Sequence, residues 1–348
     1  MPYSLYSKII ALGIPIPAMV KNKLDTCSLV SFLRMPLAFL VVLIHVCVPE
    51  AWCTQGEWTV IEFIRFHFLC PLAVPLFFFF SGFLFFREQA FSRSDYFRKL
   101  KSRVRTLLLP YLVFALIGAG YIWVVKTFNL SRANENPYNE IHNLWDFGRF
   151  ILLDSGGVGP LWFLRHLFIL SLLSPLVFEG IKRLGVWFVL VAGGYLVWEG
   201  ATIYSTSLFF WILGAFFVLS QKDIIKYLPT SYLMVAYLVC SSIEFFWRDN
   251  HSWWHALNLV IGVFFVISFA RYICSWEKLR FVRCISNLPD ASYFIYLSHF
   301  FLVGVAVRFY GLLFPHHAGL VAFFVIGGGY IWCALHVLFF SKERYLVR

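Results

Sequence analysis

Arg34 and His45 are the first residues of this 348-residue chain whose types and spacing offer chemistry. Both lie in the apolar stretch 28–48. Eleven residues at 100° each carry the helix about 20° past three full turns, so the two share one face, about 16 Å apart along the axis. An arginine in hydrocarbon costs at least about 2.5 kcal/mol, and less if it snorkels to the interface. A histidine titrates near neutrality, so it can take a proton, return it, or carry a group transiently. A snorkelling arginine plus a core histidine is the bland alternative. The shared face favours a single polar groove.

Four further segments could serve such a groove. Residues 98–105 read RKLKSRVR and run into TLLLPY, ending at Tyr111. Positive charge in a cytoplasmic loop explains most runs of this kind. Here Arg98, Lys101, Arg103 and Arg105 could also grip phosphate oxygens. The run FFFFSGFLFF, 77–86, places Ser81 and Gly82 inside an aromatic helix, where small residues permit close backbone approach. GVGPLWFLRH, 157–166, puts Pro160 in a first helical turn, Trp162 at an interface and Arg165 a turn deeper, where it needs a partner. ASYFIYLSH, 291–299, brings Tyr293, Tyr296 and His299 either to the bundle interior or to an interface. Glu62 and Arg65 are i,i+3 neighbours that pair with each other or face the site.

The elements that must position these residues are apolar helices. The chain is 60% hydrophobic and 20% aromatic, with only 14% charged residues and a mean hydropathy of +0.76. So few charges cannot cover a soluble protein of this size. A soluble enzyme, a disordered chain and a nucleic-acid module are thereby excluded. Continuous apolar runs also argue against a barrel, whose strands alternate. Stretches of about 20 residues fall at 28–48, 60–86, 107–127, 160–178, 185–201, 203–220, 230–247, 254–272, 291–310 and 318–340. Pro71 and Pro75 predict a kink or break in the second. The reading is an all-α polytopic bundle of about ten transmembrane helices.

Of the 29 Lys and Arg residues, 21 fall in the segments on one side of that bundle. By the positive-inside rule both termini are cytoplasmic. Residues 1–24 form a cytoplasmic N-terminal segment suited to an interfacial helix, without a cleavable signal. Residues 25–340 form the membrane domain and 341–348 a cytoplasmic tail. The eight cysteines are scattered with no CxxC pair, which predicts buried free thiols rather than metal ligands or disulfides. No internal repeat is evident, which disfavours transporters built from inverted halves.

Taken in order, the segments resemble the membrane-bound acyltransferase 3 family. The likeness runs through Arg34 and His45, then Phe80-Ser81-Gly82, then the basic stretch into Leu-x-Pro-Tyr, 103–111. It continues with Pro-Leu-Trp-Phe-Leu at 160–164 and Tyr-x-Ile-Tyr-Leu-x-His at 293–299, covering roughly 24–340. The resemblance implies an O-acyltransferase of a bacterial inner membrane, of the type without a fused extracytoplasmic esterase-like domain. Acetyl-CoA would be a co-substrate rather than a resident cofactor, and a carbohydrate or glycolipid the acceptor, as in exopolysaccharide O-acetylation. His45 would then act as base or transient acyl carrier with Arg34. Arg98, Lys101, Arg103 and Arg105 would hold the donor. Ser81, Tyr111, Trp162, Arg165, Tyr293 and His299 would support the acceptor side. Two other classes compete: an exporter of lipid-linked glycans, which needs a large polar cavity that these few intramembrane charges hardly line, and a sensor or scaffold with a degenerate site.

Overall fold

The computed structural model describes residues 18–88, 91–128, 141, 143–220, 229–247, 252–274, 289–314 and 319–346. Residues 1–17 of the expected N-terminal segment, residues 347–348 of the tail, and the loop bases Lys222, Lys226, Arg248, Lys278, Arg280 and Arg283 lie outside these. Among the described residues every regular element is helical. The protein is a polytopic helical membrane protein. Five helices are long and apolar enough to cross a bilayer, and a sixth candidate is a bent pair, Gly159–Leu172 with Ser174–Leu184, turned by 60°. Four shorter apolar helices complete the set: Leu29–His45, Val186–Glu199, Ile203–Leu219 and Thr230–Phe246. These ten elements coincide with the ten apolar stretches of the sequence.

The chain opens with α1 (Ala18–His45), which carries Pro36 inside it. The second stretch is interrupted as its prolines predict. It begins as α2 (Gln55–Glu62), started by a capping box between Thr54 and Glu57. It widens into a π-turn at Phe63–His67 and tightens to a 3-10 turn, Cys70–Leu72, that holds Pro71. It then resumes as α3 (Ala73–Phe85). A basic helix, α4 (Arg93–Arg103), starts at a second capping box, Ser92 with Asp95. A π-turn, Val104–Leu108, joins it to α5 (Leu109–Thr127). Next come α6 (Leu144–Leu152), α7 (Trp162–Leu172), α8 (Ser174–Leu184) and α9 (Val186–Glu199). The remainder is α10 (Ile203–Leu219), α11 (Thr230–Phe246), α12 (Ser252–Cys274), α13 (Pro289–Leu313) and α14 (Gly319–Leu346).

The core is centred on α10, which is buried on nearly every side from Ser205 to Val218. A helix apolar all round belongs in such a place. It lies against α3 at backbone distance. A Cβ on Gly82 would stand 2.1 Å from the Trp211 carbonyl oxygen, and one on Gly214 would stand 1.9 Å from that of Phe79. The close approach expected at Ser81-Gly82 is therefore present, with glycine rather than serine as its cause. Phe85 and Phe86 pack edge-on and tilted against the Trp211 indole at this seam. A second, smaller core joins α1 to α13 and α14 through Val42, Val46, Ile295 and Phe323.

The outward faces are apolar too. Trp187 and Val191 of α9 and Trp198 at its end are 68%, 70% and 86% exposed. A soluble monomer does not show such continuous apolar surface. In lipid it is the contact face. Of the six described cysteines, only Cys70 and Cys240 are buried. The expectation of buried thiols thus fails for Cys47 and Cys333, which are exposed, and for Cys53 and Cys274, which are only partly buried.

Candidate active site

His45 is the last residue of α1, and its half-buried ring meets His299 of α13. The ring centroids are 4.8 Å apart with the planes at 65°. Each imidazole is anchored by a backbone carbonyl of its own helix. His45 Nδ1 lies 2.8 Å from the Val41 oxygen, and His299 Nδ1 lies 2.6 Å from the Tyr296 oxygen. A carbonyl only accepts, so each Nδ1 carries the proton and each neutral ring keeps a lone pair on Nε2. His299 is wholly buried, and its Nε2 has no partner among the described residues. Two imidazoles, each with a ring nitrogen able to accept, thus meet inside an apolar bundle.

The surrounding motifs lock this pair. Tyr296 lies against the His299 ring and donates its hydroxyl to the Pro160 carbonyl. This brings the Pro-Leu-Trp-Phe-Leu and Tyr-x-Ile-Tyr-Leu-x-His segments together. Phe163 also packs on Tyr296. The loop before Pro160 depends on Gly156 and Gly157, which have φ of 61° and 78°. A Cβ on Gly156 would meet the Ala115 oxygen at 2.0 Å, so glycine is needed for both space and conformation. Ser298 and Tyr330 share a hydrogen bond of 2.7 Å that ties α13 to α14.

At the basic end, the expected cluster divides. Arg103 turns inward over the Phe85 ring, 5.8 Å from its centroid, and lies within Coulomb range of Arg34. Neither arginine forms an ion pair with a carboxylate among the described residues. A guanidinium within Coulomb range of another, with no carboxylate partner among the described residues, suits an anion. Arg98 instead pairs with Glu88 at 3.1 Å and Asp95 at 2.8 Å. Lys101 and Arg105 point outward and are exposed. Lys99 donates to the Phe85 carbonyl at 2.7 Å and lies 3.4 Å from Glu88. The Ser92 hydroxyl and backbone hold the Asp95 carboxyl below the usual carboxylate range.

Other candidate residues have structural partners. Tyr111 is buried, with its hydroxyl 2.8 Å from both the Ile151 and Leu152 oxygens. Arg165 donates to the Leu152 carbonyl at 3.1 Å and to that of Leu153. Both side chains therefore satisfy the orphan carbonyls where α6 ends. Trp162 packs on Phe78 and His166. Tyr293 lies at the basic end and donates to the Thr106 carbonyl at 2.7 Å. The structure therefore joins His45 with His299 and turns Arg103 inward, within Coulomb range of Arg34. It leaves Tyr111, Trp162, Arg165 and Tyr293 in packing or capping positions, and Ser81 half-buried on α3.

Sequence reading passed over His67, Glu244, His255 and Asn258, which meet at the end of the bundle opposite Arg34. The available signal was that all four are polar residues near the ends of neighbouring apolar stretches.

Comparison with known proteins fits this geometry. Residues 30–337 match the acyltransferase 3 family, described as an acyltransferase domain. This range lies within 25–340. A 153-residue region is 27% identical to the succinoglycan biosynthesis protein ExoH of Rhizobium meliloti (strain 1021), covering 42% of this chain and 41% of that protein. The chain thus matches less than half the length of that curated relative. No solved structure matches. With the family matched along residues 30–337 of a helical membrane fold, the protein belongs to the acyltransferase 3 family of membrane acyltransferases.

Proposed function

We propose that the protein moves an acetyl or other short acyl group from cytoplasmic acyl-CoA to a hydroxyl of a cell-surface or lipid-linked carbohydrate. Its place is a bacterial inner membrane, with both termini cytoplasmic. The observation that carries the reading is the imidazole pair: two touching rings, one half-buried and one buried, each with Nδ1 tied to a carbonyl and Nε2 left as an acceptor. Support for a polysaccharide acceptor comes from the relative, a succinoglycan biosynthesis protein.

In this scheme Arg34 and Arg103 take the phosphates of CoA, assisted by the exposed Lys101 and Arg105. The pantetheine arm follows the α1 face from Arg34 to His45, a rise of about 16 Å. His45 Nε2 takes the proton of the acceptor hydroxyl as its oxygen attacks the thioester carbonyl. The C–O bond forms, the C–S bond breaks, and the proton passes to the departing CoA thiolate. His299 Nε2 accepts a hydrogen bond from the protonated His45 ring or from the acceptor. Direct attack is preferred to an acyl-imidazole, because nothing in the arrangement requires a covalent intermediate.

The test uses protein reconstituted in sealed vesicles, with acetyl-labelled acetyl-CoA at the basic face and a crude glycolipid extract at the other. Label moving into a base-labile ester of a sugar supports the reading. Intact protein that neither binds nor consumes a panel of acyl-CoAs contradicts it. Glycolipid export without acyl-CoA dependence would then replace it.

A further inference from the structure

The second span owes its shape to the π-turn Phe63–His67. Such a turn inserts a residue into the helical register and re-aims what it carries. This one aims two side chains at two neighbours. Arg65 reaches α1: its Nε and Nη2 donate to the Ile44 carbonyl at 3.2 and 2.7 Å, and Nη2 lies 3.5 Å from Cys47 Sγ. Ile44 immediately precedes His45. Its carbonyl belongs to the last turn of α1, where backbone oxygens have no intrahelical donor and the helix dipole favours a cation.

His67 reaches α11, where its Nδ1 lies 3.2 Å from Glu244 Oε1. The same oxygen is 2.8 Å from His255 Nδ1, and Glu244 Oε2 accepts from Asn258 Nδ2 at 2.6 Å. Asn258 also donates to the His67 carbonyl at 3.2 Å and accepts from Ser241 at 3.1 Å. One carboxylate thereby fastens α11, α12 and the π-turn together.

We propose that Arg65 is a positioning residue for acyl transfer: it caps the end of α1 that bears His45, and the Glu244 cluster holds the turn that delivers it. The inference rests on the acyl-transfer reading above. The peptide that Arg65 grips is the one whose rotation would swing the His45 ring relative to His299. A displacement of about 1 Å at a reacting group costs on the order of a hundredfold in rate.

Wild type, Arg65→Ala, Arg65→Lys and Glu244→Gln in nanodiscs provide the test, with acetyl-CoA and the glycolipid extract as substrates. Arg65→Ala should lower kcat about a hundredfold with the KM for acetyl-CoA unchanged. Added guanidinium should restore about a tenth of the lost rate or more, by filling the vacated contact. Arg65→Lys should fall between the two, because a single ammonium cannot reproduce the fork. Glu244→Gln should lower kcat less, and add little to Arg65→Ala, since both act through one contact.

A readout independent of turnover is the rate at which diethylpyrocarbonate labels His45, located by peptide mass spectrometry. That rate should rise severalfold in Arg65→Ala. Unchanged labelling and unchanged kcat would overturn the proposal. So would a loss confined to KM, or a loss matched by lower thermal stability and unmoved by guanidinium. Faster labelling where even the wild type transfers no acyl group would keep the contact but refute the acyl-transfer reading, and positioning for transfer with it.

Discussion

The α3–α10 seam and the His45–His299 pair are both buried contacts between distant stretches of chain, and they are built on opposite terms. The seam removes side chains altogether. Gly82 and Gly214 let two backbones touch, and the aromatic rings of Phe85, Phe86 and Trp211 fill the remaining space. The imidazole pair keeps polar side chains where apolar ones would pack at lower cost. Each region also contains a buried nitrogen with no partner among the described residues, Trp211 Nε1 and His299 Nε2. The indole nitrogen is a fixed donor that takes up no proton, whereas the imidazole nitrogen can take one. Lack of a partner alone therefore does not mark a site. An orphan group that can change protonation is the better pointer, and on that ground we propose that the chemistry lies between α1 and α13.

Breaking the seam should have the largest effect, and on folding rather than chemistry. Gly214→Val forces methyl groups into the Phe79 backbone and should cost roughly 1–3 kcal/mol or more. The check is the melting temperature and folded yield in detergent, with activity per folded molecule near wild type. Next in size is Arg103→Ala. Loss of a charge-assisted contact worth about 1.5–3 kcal/mol should raise the apparent KM for acetyl-CoA at least about tenfold, with kcat little changed. Titration of initial rates against acetyl-CoA decides it. The smallest is Tyr296→Phe, which removes one hydrogen bond to Pro160 worth about 0.5–1.5 kcal/mol. It should lower kcat a few-fold by loosening His299 while the seam, and so the melting temperature, barely moves.

Much of this was legible in the sequence because it depends on local rules. The ten apolar stretches, the break at Pro71, the close approach at Gly82 and the common face of Arg34 and His45 all follow from composition and helical period. What period counting missed begins at the two π-turns. Each shifts the register, so spacing arguments across Phe63–His67 or Val104–Leu108 lose their footing. Arg105 lies inside the second of these and Lys101 before it, and it was Arg103 that turned inward, within Coulomb range of Arg34. Arg165 looked like an uncompensated charge because its partners are the carbonyls of Leu152 and Leu153, which no residue type announces. The meeting of His45 with His299 is set by packing α13 on α1, a long-range fact with no local signal.

The most direct test of the central claim is the single-turnover rate of acyl transfer by wild type and His45→Gln, which keeps a polar group of similar reach but cannot take up a proton. Both would be compared at equal melting temperature and equal acetyl-CoA occupancy. The account predicts a fall of about 10²–10⁴-fold in His45→Gln with donor binding intact. A His45→Gln rate within a few-fold of wild type would contradict it.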